Sequence, residues 1–410
     1  MPPAEQPFTK QPSTVDPTAL ERVYAALDRY VDDGRLPGYH LIVGSGASGE
    51  THERLHGHRD VAQAQPVTPE TLWRIYSMTK PITSVAAMML YEEGAFTLTD
   101  PVHRYLPAFA NQRVYVNGSD LKAVTVPTPE PVRIWHLLSH TSGLTYGFHR
   151  SHPVEMQLCA AGYEWATPPG VDLAEATDFI ASLPLLFNPG SAWNYSLSTD
   201  VLGRLVEVVS GQNLADFVAE RITGPLGMKR TMFRVDSPAD RADLATLYLA
   251  TPDGGLATNS MLGDLILDPP LLSGGGGLAS TGQDYLRFAR MLARGGELDG
   301  VRLLGPRTVA YMMRNHLPGN ADIDSYGRPV FAEIPQTGVG FGLAGAVVID
   351  PAAAHMLTST GEFNWGGAAS TTFWVDRVED LVVVFMTQLL PSSTYPLRPL
   401  LRQGIYSALR

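Results

Sequence analysis

The stretch 75–94, IYSMTKPITSVAAMMLYEEG, constrains this chain more than any other. Ile82, Val85, Ala86, Met89 and Leu90 recur at the spacing of one helix face. Ala87, Met88 and Tyr91 fill the other faces, and after Lys80 no charge appears until Glu92 and Glu93. A helix that is apolar all round belongs in the interior. Pro81 has no N–H to give and fits only near the first turn, while Gly94 is a C-terminal stop. The rest of the fold must therefore be built around this helix. Ser77 sits at or just before its N-terminus, and Lys80, three residues on, faces the same side.

A serine hydroxyl is a poor nucleophile until a neighbouring base takes its proton. A lysine, with a reference pKa of roughly 10.4, becomes such a base only where burial or nearby cations disfavour its charge. A nearly uncharged helix supplies burial, and its N-terminus offers backbone N–H groups to an oxyanion beside Ser77. The chain provides its own comparison in Ser119-Asp120-Leu121-Lys122, which has the same spacing. That unit follows Asn117-Gly118 in a polar stretch with no apolar helix behind it, and reads as a surface turn. Lysine is scarce here (Lys10, Lys80, Lys122 and Lys229 among 30 basic residues), so one inside an apolar run is not filler.

The 410 residues can bury a large core, and length suggests two or three domain-sized units. A net charge of −11 without a basic stripe argues against nucleic acid and anionic membrane surfaces as partners. Cys159 is the single cysteine, so no internal disulfide forms. The N-terminal stretch lacks the apolar core of a signal peptide, and no apolar run reaches the roughly 18 residues of a membrane span. A cytoplasmic protein is expected.

Residues 1–15 read as an extended arm rich in Pro, Thr and Gln. Asp16-Pro17 opens a helix carrying Leu20, Val23, Tyr24 and Leu27, and residues 38–46 and 52–58 read as two short strands. Residues 111–131 show little periodicity and read as a loop; 132–139 form a short helix. Two stretches, 144–171 and 236–272, dissolve into aromatics, Pro and Gly, as lids and binding loops do. Between them, helices are expected at 173–183 and 201–210. Thr281-Gly282-Gln283-Asp284 resembles a capping box before a helix at 285–292. The C-terminal part holds β-rich runs at 338–349, 368–375 and 381–386, an antiparallel meander closed by a helix at 399–409. Strands at both ends and helices between them imply an α/β (α+β) lobe from 16–75 and 273–410, with a mainly helical lobe, 76–272, inserted.

Other residues carry chemistry less distinctly. Tyr195 lies just ahead of a helix start, and beside a Ser/Lys pair it could relay a proton. Most of the 16 tyrosines must nevertheless be packing residues. Trp365-Gly366-Gly367-Ala368 precedes a strand; the glycines fit either a close backbone approach to a ligand, with the Ala368 N–H as an oxyanion donor, or a hairpin turn. His136 and His140 stand four apart without the Glu of a zinc helix and read as structural. His52, His56 and His58 alternate on a strand without acidic or Cys companions and read as surface residues. Gly274 to Gly277 lacks the Lys-Ser/Thr of a phosphate loop, and no G-x-S-x-G occurs.

The order of Ser77-x-x-Lys80, His136-Leu-Leu-Ser-His140-Thr-Ser-Gly143, Asn188-Pro-Gly190, Tyr195-Ser196, Gly275-Gly276-Gly277-Leu278 and Trp365-Gly366-Gly367 resembles the serine β-lactamase and penicillin-binding-protein superfamily. Within it the chain is similar to the family VIII carboxylesterases, which share the class C β-lactamase fold. The resemblance implies a central antiparallel sheet flanked by helices, an all-helical lobe and a cleft between them. It makes Ser77 the acylated nucleophile, gives Lys80 and Tyr195 the acid/base work, and makes the Ser77 and Ala368 N–H groups the oxyanion hole. Trp365-Gly366-Gly367 then stands where β-lactamases have Lys-Thr-Gly, and Leu197 where their Tyr-x-Asn motif has Asn. Substrate would lie against Trp365, Gly366, Gly367 and Leu197, and against Tyr146, Phe148 and Trp165 if the aromatic stretch walls the cleft. The expectation is a serine carboxylesterase, free of cofactor and metal, acting on short, neutral, small-molecule esters. An acyltransferase using the same residues, weak β-lactamase or peptidase activity, and a non-catalytic binding protein are the alternatives.

Overall fold

The computed structural model of the chain describes residues 13–165, 167–328 and 336–410. Most of the arm expected over 1–15 lies outside the described residues; Val15 bridges to Leu409. Helix α1 (Pro17–Asp32) starts where expected, with the Asp16 carboxylate accepting from the Thr18 N–H at 2.9 Å.

Strands β1 (Gly38–Ser45), β2 (Thr51–Asp60) and β3 (Gln65–Pro66) form one side of an eight-stranded sheet. On the other side of β1 lie strand Leu381–Met386, then Thr372–Asp376, Phe363–Gly366, Ala346–Val348 and Val339–Phe341, all antiparallel. Alternation along the strands explains the layering. Tyr39, Leu41 and Val43 join Val383, Phe385 and Trp374 beneath α1 and the closing helix Leu397–Tyr406. Ile42, Val382, Val384 and Phe373 face the opposite way, packing with Tyr285 and Phe288 of helix Gly282–Ala293. Thr281 caps that helix through the Asp284 N–H at 3.1 Å, but only half of a capping box forms. The Asp284 carboxylate instead accepts from the Arg230 N–H and the Thr231 hydroxyl.

Helix α2 (Thr79–Glu92) is the expected interior helix, buried from Thr79 through Leu90 and packed against helix Ser198–Ser210. Four sequence readings need correction. Residues 111–131 are not a plain loop, since strands Arg113–Gly118 and Ala123–Pro127 form a hairpin. A bulge lies between Tyr115 and Asn117 in its first strand. Residues 144–171 include a helix, Pro153–Ala160, with Pro at its first turn. Residues 236–272 contribute strand Tyr248–Ala250, which pairs in parallel with Leu389–Leu390 and so ties this insertion to the C-terminal strands. His56, read as lacking an acidic companion, bonds Asp32 of α1 at 2.9 Å. No helix among the described residues is long and apolar enough to cross a membrane.

Candidate active site

Strand β4 (Trp73–Arg74) leads into a single 3-10 turn, Tyr76–Met78, and then directly into α2. Tyr76 holds a positive φ of 42°, an unusual conformation for a residue with a side chain. The chain thus turns sharply just before Ser77, and α2 brings Lys80 back beneath it. The Lys80 Nζ lies 3.3 Å from Ser77 Oγ, 3.0 Å from the Tyr146 hydroxyl and 2.8 Å from the Gly275 carbonyl. These three acceptors match the three protons of an ammonium. From the other side the Tyr195 hydroxyl donates to Ser77 Oγ at 2.6 Å, and the Lys80 Nζ lies 4.5 Å from the Tyr195 ring centroid. The sequence-predicted residues Ser77, Lys80 and Tyr195 therefore converge on one oxygen.

Tyr195 is held by the His136–Gly143 and Asn188–Gly190 motifs. Asn194 donates from its N–H to the His140 carbonyl at 2.9 Å, and Gly190 donates to the Thr141 carbonyl at 2.7 Å. A Cβ on Gly190 would come within 3.0 Å of His136 Nε2. The His140 ring shares a hydrogen bond with Ser196 at 3.0 Å and packs 5.1 Å from the Tyr195 ring. Burial, helped by the Lys80 charge, keeps the His140 imidazole well below its usual range, so it stays neutral. Burial and Arg133 push His136 down to about 3, and its Nδ1 accepts from the Arg133 N–H at 2.9 Å. The two histidines brace the loop that presents Tyr195.

Two residues escaped the sequence reading in these roles. Tyr146, expected only as wall, also accepts from Lys80. Burial, reinforced by Asp200 and Tyr195, holds its phenol well above the tyrosine range, which keeps its proton in place. Asp200, in the first turn of helix Ser198–Ser210, is buried and accepts from the Ser273 hydroxyl at 2.5 Å and the Gly275 N–H at 3.1 Å. Burial raises its carboxyl above the usual range, and the Lys80 charge opposes that rise. Gly275 thus links the two charges, with its carbonyl on Lys80 and its N–H on Asp200. Its glycine identity is required: a Cβ would stand 2.5 Å from Asp200 Oδ2 and 2.9 Å from the Tyr146 hydroxyl. The signal was the glycine run 274–277, one of the ordered motifs, whose fold partner could not be read locally.

Above Ser77 opens a cavity of about 360 Å³. Tyr146, Phe148, Trp165 and Leu197 line it together with Trp365, Gly366, Gly367 and Ala368, so all the expected wall residues reach one space. Phe148 stacks between Tyr146 at 4.7 Å and Trp165 at 4.8 Å. Trp365 packs on Tyr195 at 5.5 Å and edge-on to Phe341 at 5.3 Å. The paired glycines serve close approach: a Cβ on Gly367 would lie 2.4 Å from the Ile75 carbonyl oxygen, so the end of strand Phe363–Gly366 abuts the segment leading to Ser77. Among the described residues no cluster of His, Cys, Asp and Glu could hold a metal ion.

Comparison with known proteins agrees with this architecture. The Beta-lactamase family matches residues 23–404, and the chain belongs to that family. A Mycobacterium tuberculosis protein is 37% identical over 82% of each chain. Esterase EstB of Burkholderia gladioli is 31% identical, covering 96% of this chain and 99% of its own. Among solved structures, EstCE1, a hydrolase with promiscuous acyltransferase activity, superposes with a TM-score of 0.79 at 27% identity, covering 95% of this chain and 98% of that one. The fold is β-lactamase-like.

Proposed function

We propose that the chain is a serine carboxylesterase of the family VIII kind, working through a Ser77 acyl-enzyme. The observation that carries this reading is the single oxygen, Ser77 Oγ, within 2.6 Å of the Tyr195 hydroxyl and 3.3 Å of the Lys80 Nζ at the floor of an apolar cavity. The Lys80/Tyr195 pair acts as a coupled unit: in the form that has released one proton to solvent, it takes the Ser77 proton as Oγ attacks the ester carbonyl. The N–H groups of Ser77 and Ala368 take the oxyanion. The pair then protonates the leaving alcohol, and water hydrolyses the acyl-enzyme. Similarity to Esterase EstB supports the reaction class. No cofactor or nucleic acid enters the reaction, and the single cysteine fits a cytoplasmic setting. The acyltransferase reading, in which an alcohol replaces water, draws support from the promiscuous acyltransferase activity of EstCE1; competition between alcohol acceptors and water separates the two.

The substrate class follows from Trp365. An indole offers one neutral N–H and otherwise apolar surface, where a lysine would hold a carboxylate. A hydrogen bond to a charged group contributes roughly 1.5–3 kcal/mol, so its absence weakens capture of a carboxylate there by about 10- to 150-fold. The decisive test sets p-nitrophenyl esters of increasing chain length beside a chromogenic cephalosporin. Esters are expected to exceed the cephalosporin in kcat/KM by at least about 100-fold, or roughly 2.7 kcal/mol. Comparable efficiencies would overturn the assignment to neutral esters.

A further inference from the structure

One arm of the cavity has a chemistry that the acyl-enzyme scheme does not use. Arg74, three residues before Ser77, is 6% exposed and lines the cavity. Its Nε donates to the Gly263 carbonyl at 2.7 Å, and its Nη1 to the Ala245 carbonyl at 2.6 Å and Gln388 Oε1 at 3.4 Å. All three acceptors are neutral. Among the described residues no carboxylate forms an ion pair with Arg74, and its Nη2 donates no hydrogen bond. Asp264, whose charge bears on it from a distance, is exposed. Arginine cannot shed its proton in a protein, so this is a cation kept out of water without a counter-ion.

A second polar atom in the same wall is also unpartnered. The Tyr76 hydroxyl is buried with no hydrogen-bond partner among the described residues, although the Tyr76 ring is well packed beside Leu247, Leu262, Ala368 and Leu390. Burial, opposed by the Arg74 charge, pushes this phenol up to about 12, so it remains a donor at neutral pH. Tyr76, Leu262, Ile266 and Pro391 line the cavity with Arg74, and otherwise present apolar surface. A buried donor left unsatisfied is costly, and the Tyr76 hydroxyl beside an arginine with no paired carboxylate makes a wall complementary to an anionic acceptor.

We propose that Arg74 and Tyr76 form an anion subsite that takes a carboxylate at the far end of the ester substrate. This rests on the esterase reading and sharpens it. The group against Trp365 is uncharged, while the end that reaches the Arg74 arm is negative. Arg74 lies three positions before Ser77, so their Cα atoms are at most about 10 Å apart, and a substrate spanning both places its carboxylate several bonds from the scissile carbonyl. The preferred substrates are half-esters of dicarboxylic acids, or esters of alcohols that carry a carboxylate.

The test uses two charged esters, mono-p-nitrophenyl adipate and the hexanoyl ester of 4-hydroxybenzoate. Their neutral counterparts are p-nitrophenyl hexanoate and the hexanoyl ester of methyl 4-hydroxybenzoate. The wild-type chain is expected to favour at least one charged member by about tenfold or more in kcat/KM, and Arg74→Met is expected to abolish that preference. Separately, adipate is expected to raise the Tm of the wild type and not of Arg74→Met. Should Arg74→Met fail to fold, Tyr76→Phe keeps the ring packing and is expected to cut the preference at least about threefold. Esters turned over with no charge preference and no adipate shift overturn the subsite and leave the esterase standing. An adipate shift lost in Arg74→Met without turnover of any ester upholds the subsite and overturns the esterase.

Discussion

Two stretches of this chain place a lysine three residues after a serine, and their surroundings are opposite. Ser77 and Lys80 sit where a 3-10 turn becomes α2, and Lys80 is 1% exposed, with every ammonium proton accepted. Ser119 and Lys122 form the tip of the hairpin 113–127, where their backbones pair at 3.2 and 3.3 Å and Leu121 between them is 95% exposed. In the tip the serine hydroxyl accepts from the Lys122 backbone N–H at 3.2 Å, as turn serines do. The spacing is the same in both. What differs is a lowered exposure, a tyrosine at 2.6 Å and a buried carboxylate beyond Gly275. Reactivity belongs to that setting, not to the four-residue string.

The contrast can be broken most forcefully at Ser77. Ser77→Ala is expected to lose esterase activity nearly completely while staying folded, and to gain no mass from a serine-directed phosphonate. A variant that kept substantial turnover would remove Ser77 from the reaction. Next comes Tyr195→Phe, which keeps the ring packed on Trp365 and deletes only the hydroxyl. General acid–base groups contribute roughly 10²–10⁴-fold, and a kcat/KM loss of that size is expected. A loss under about threefold, on the order of 0.65 kcal/mol, would make Tyr195 a packing residue. A smaller effect is expected from Asp200→Asn, which keeps an acceptor for the Gly275 N–H but removes the charge that balances Lys80. Steady-state rates should fall by about 10- to 100-fold, roughly 1.4–2.7 kcal/mol, and unchanged rates would show that Lys80 needs no counter-charge. The smallest effect belongs to the hairpin. Ser119→Ala and Lys122→Ala should leave turnover unaltered and stability within about 0.5 kcal/mol by urea titration, and any catalytic loss there would refute the comparison itself.

Much of the site could be read in the sequence because its parts carry local signatures. Ser77 and Lys80 stand out against an uninterrupted apolar helix, and Tyr195 against the turn and helix that flank it. The sheet was legible for the same reason, since Val382, Val383, Val384 and Phe385 are buried on both faces and read as a continuous apolar run. Asp200 and Gly275 were not legible, because each acquires meaning only from the other. Their partnership is made by packing a glycine loop into the groove between α2 and helix Ser198–Ser210, where a Cβ on Gly274 would already stand 2.7 Å from the Thr199 carbonyl. Arg74 carries no local signal, because its three neutral acceptors, drawn from residues 245, 263 and 388, are brought together only by the fold. The hairpin 113–127 was missed because its exposed Val116, Val124 and Val126 give no buried face to alternate against.

The pairing of β1 with strand Leu381–Met386 sets the order in which this protein can be made. Ser45 has its partner in Leu381, about 340 residues further along, so β1 leaves the ribosome long before the strand that completes it. At roughly 5–20 residues per second, that interval is on the order of 20–70 s, during which one edge of a β1–β2 hairpin stands open. A contact of such long range also makes final closure slow relative to the local folding of the helices between. The central sheet is therefore the last thing a nascent chain can finish, and protease sensitivity of ribosome-stalled chains should persist until strand Leu381–Met386 has emerged. A cell making this protein must keep an unfinished sheet from pairing with its neighbours for the better part of a minute.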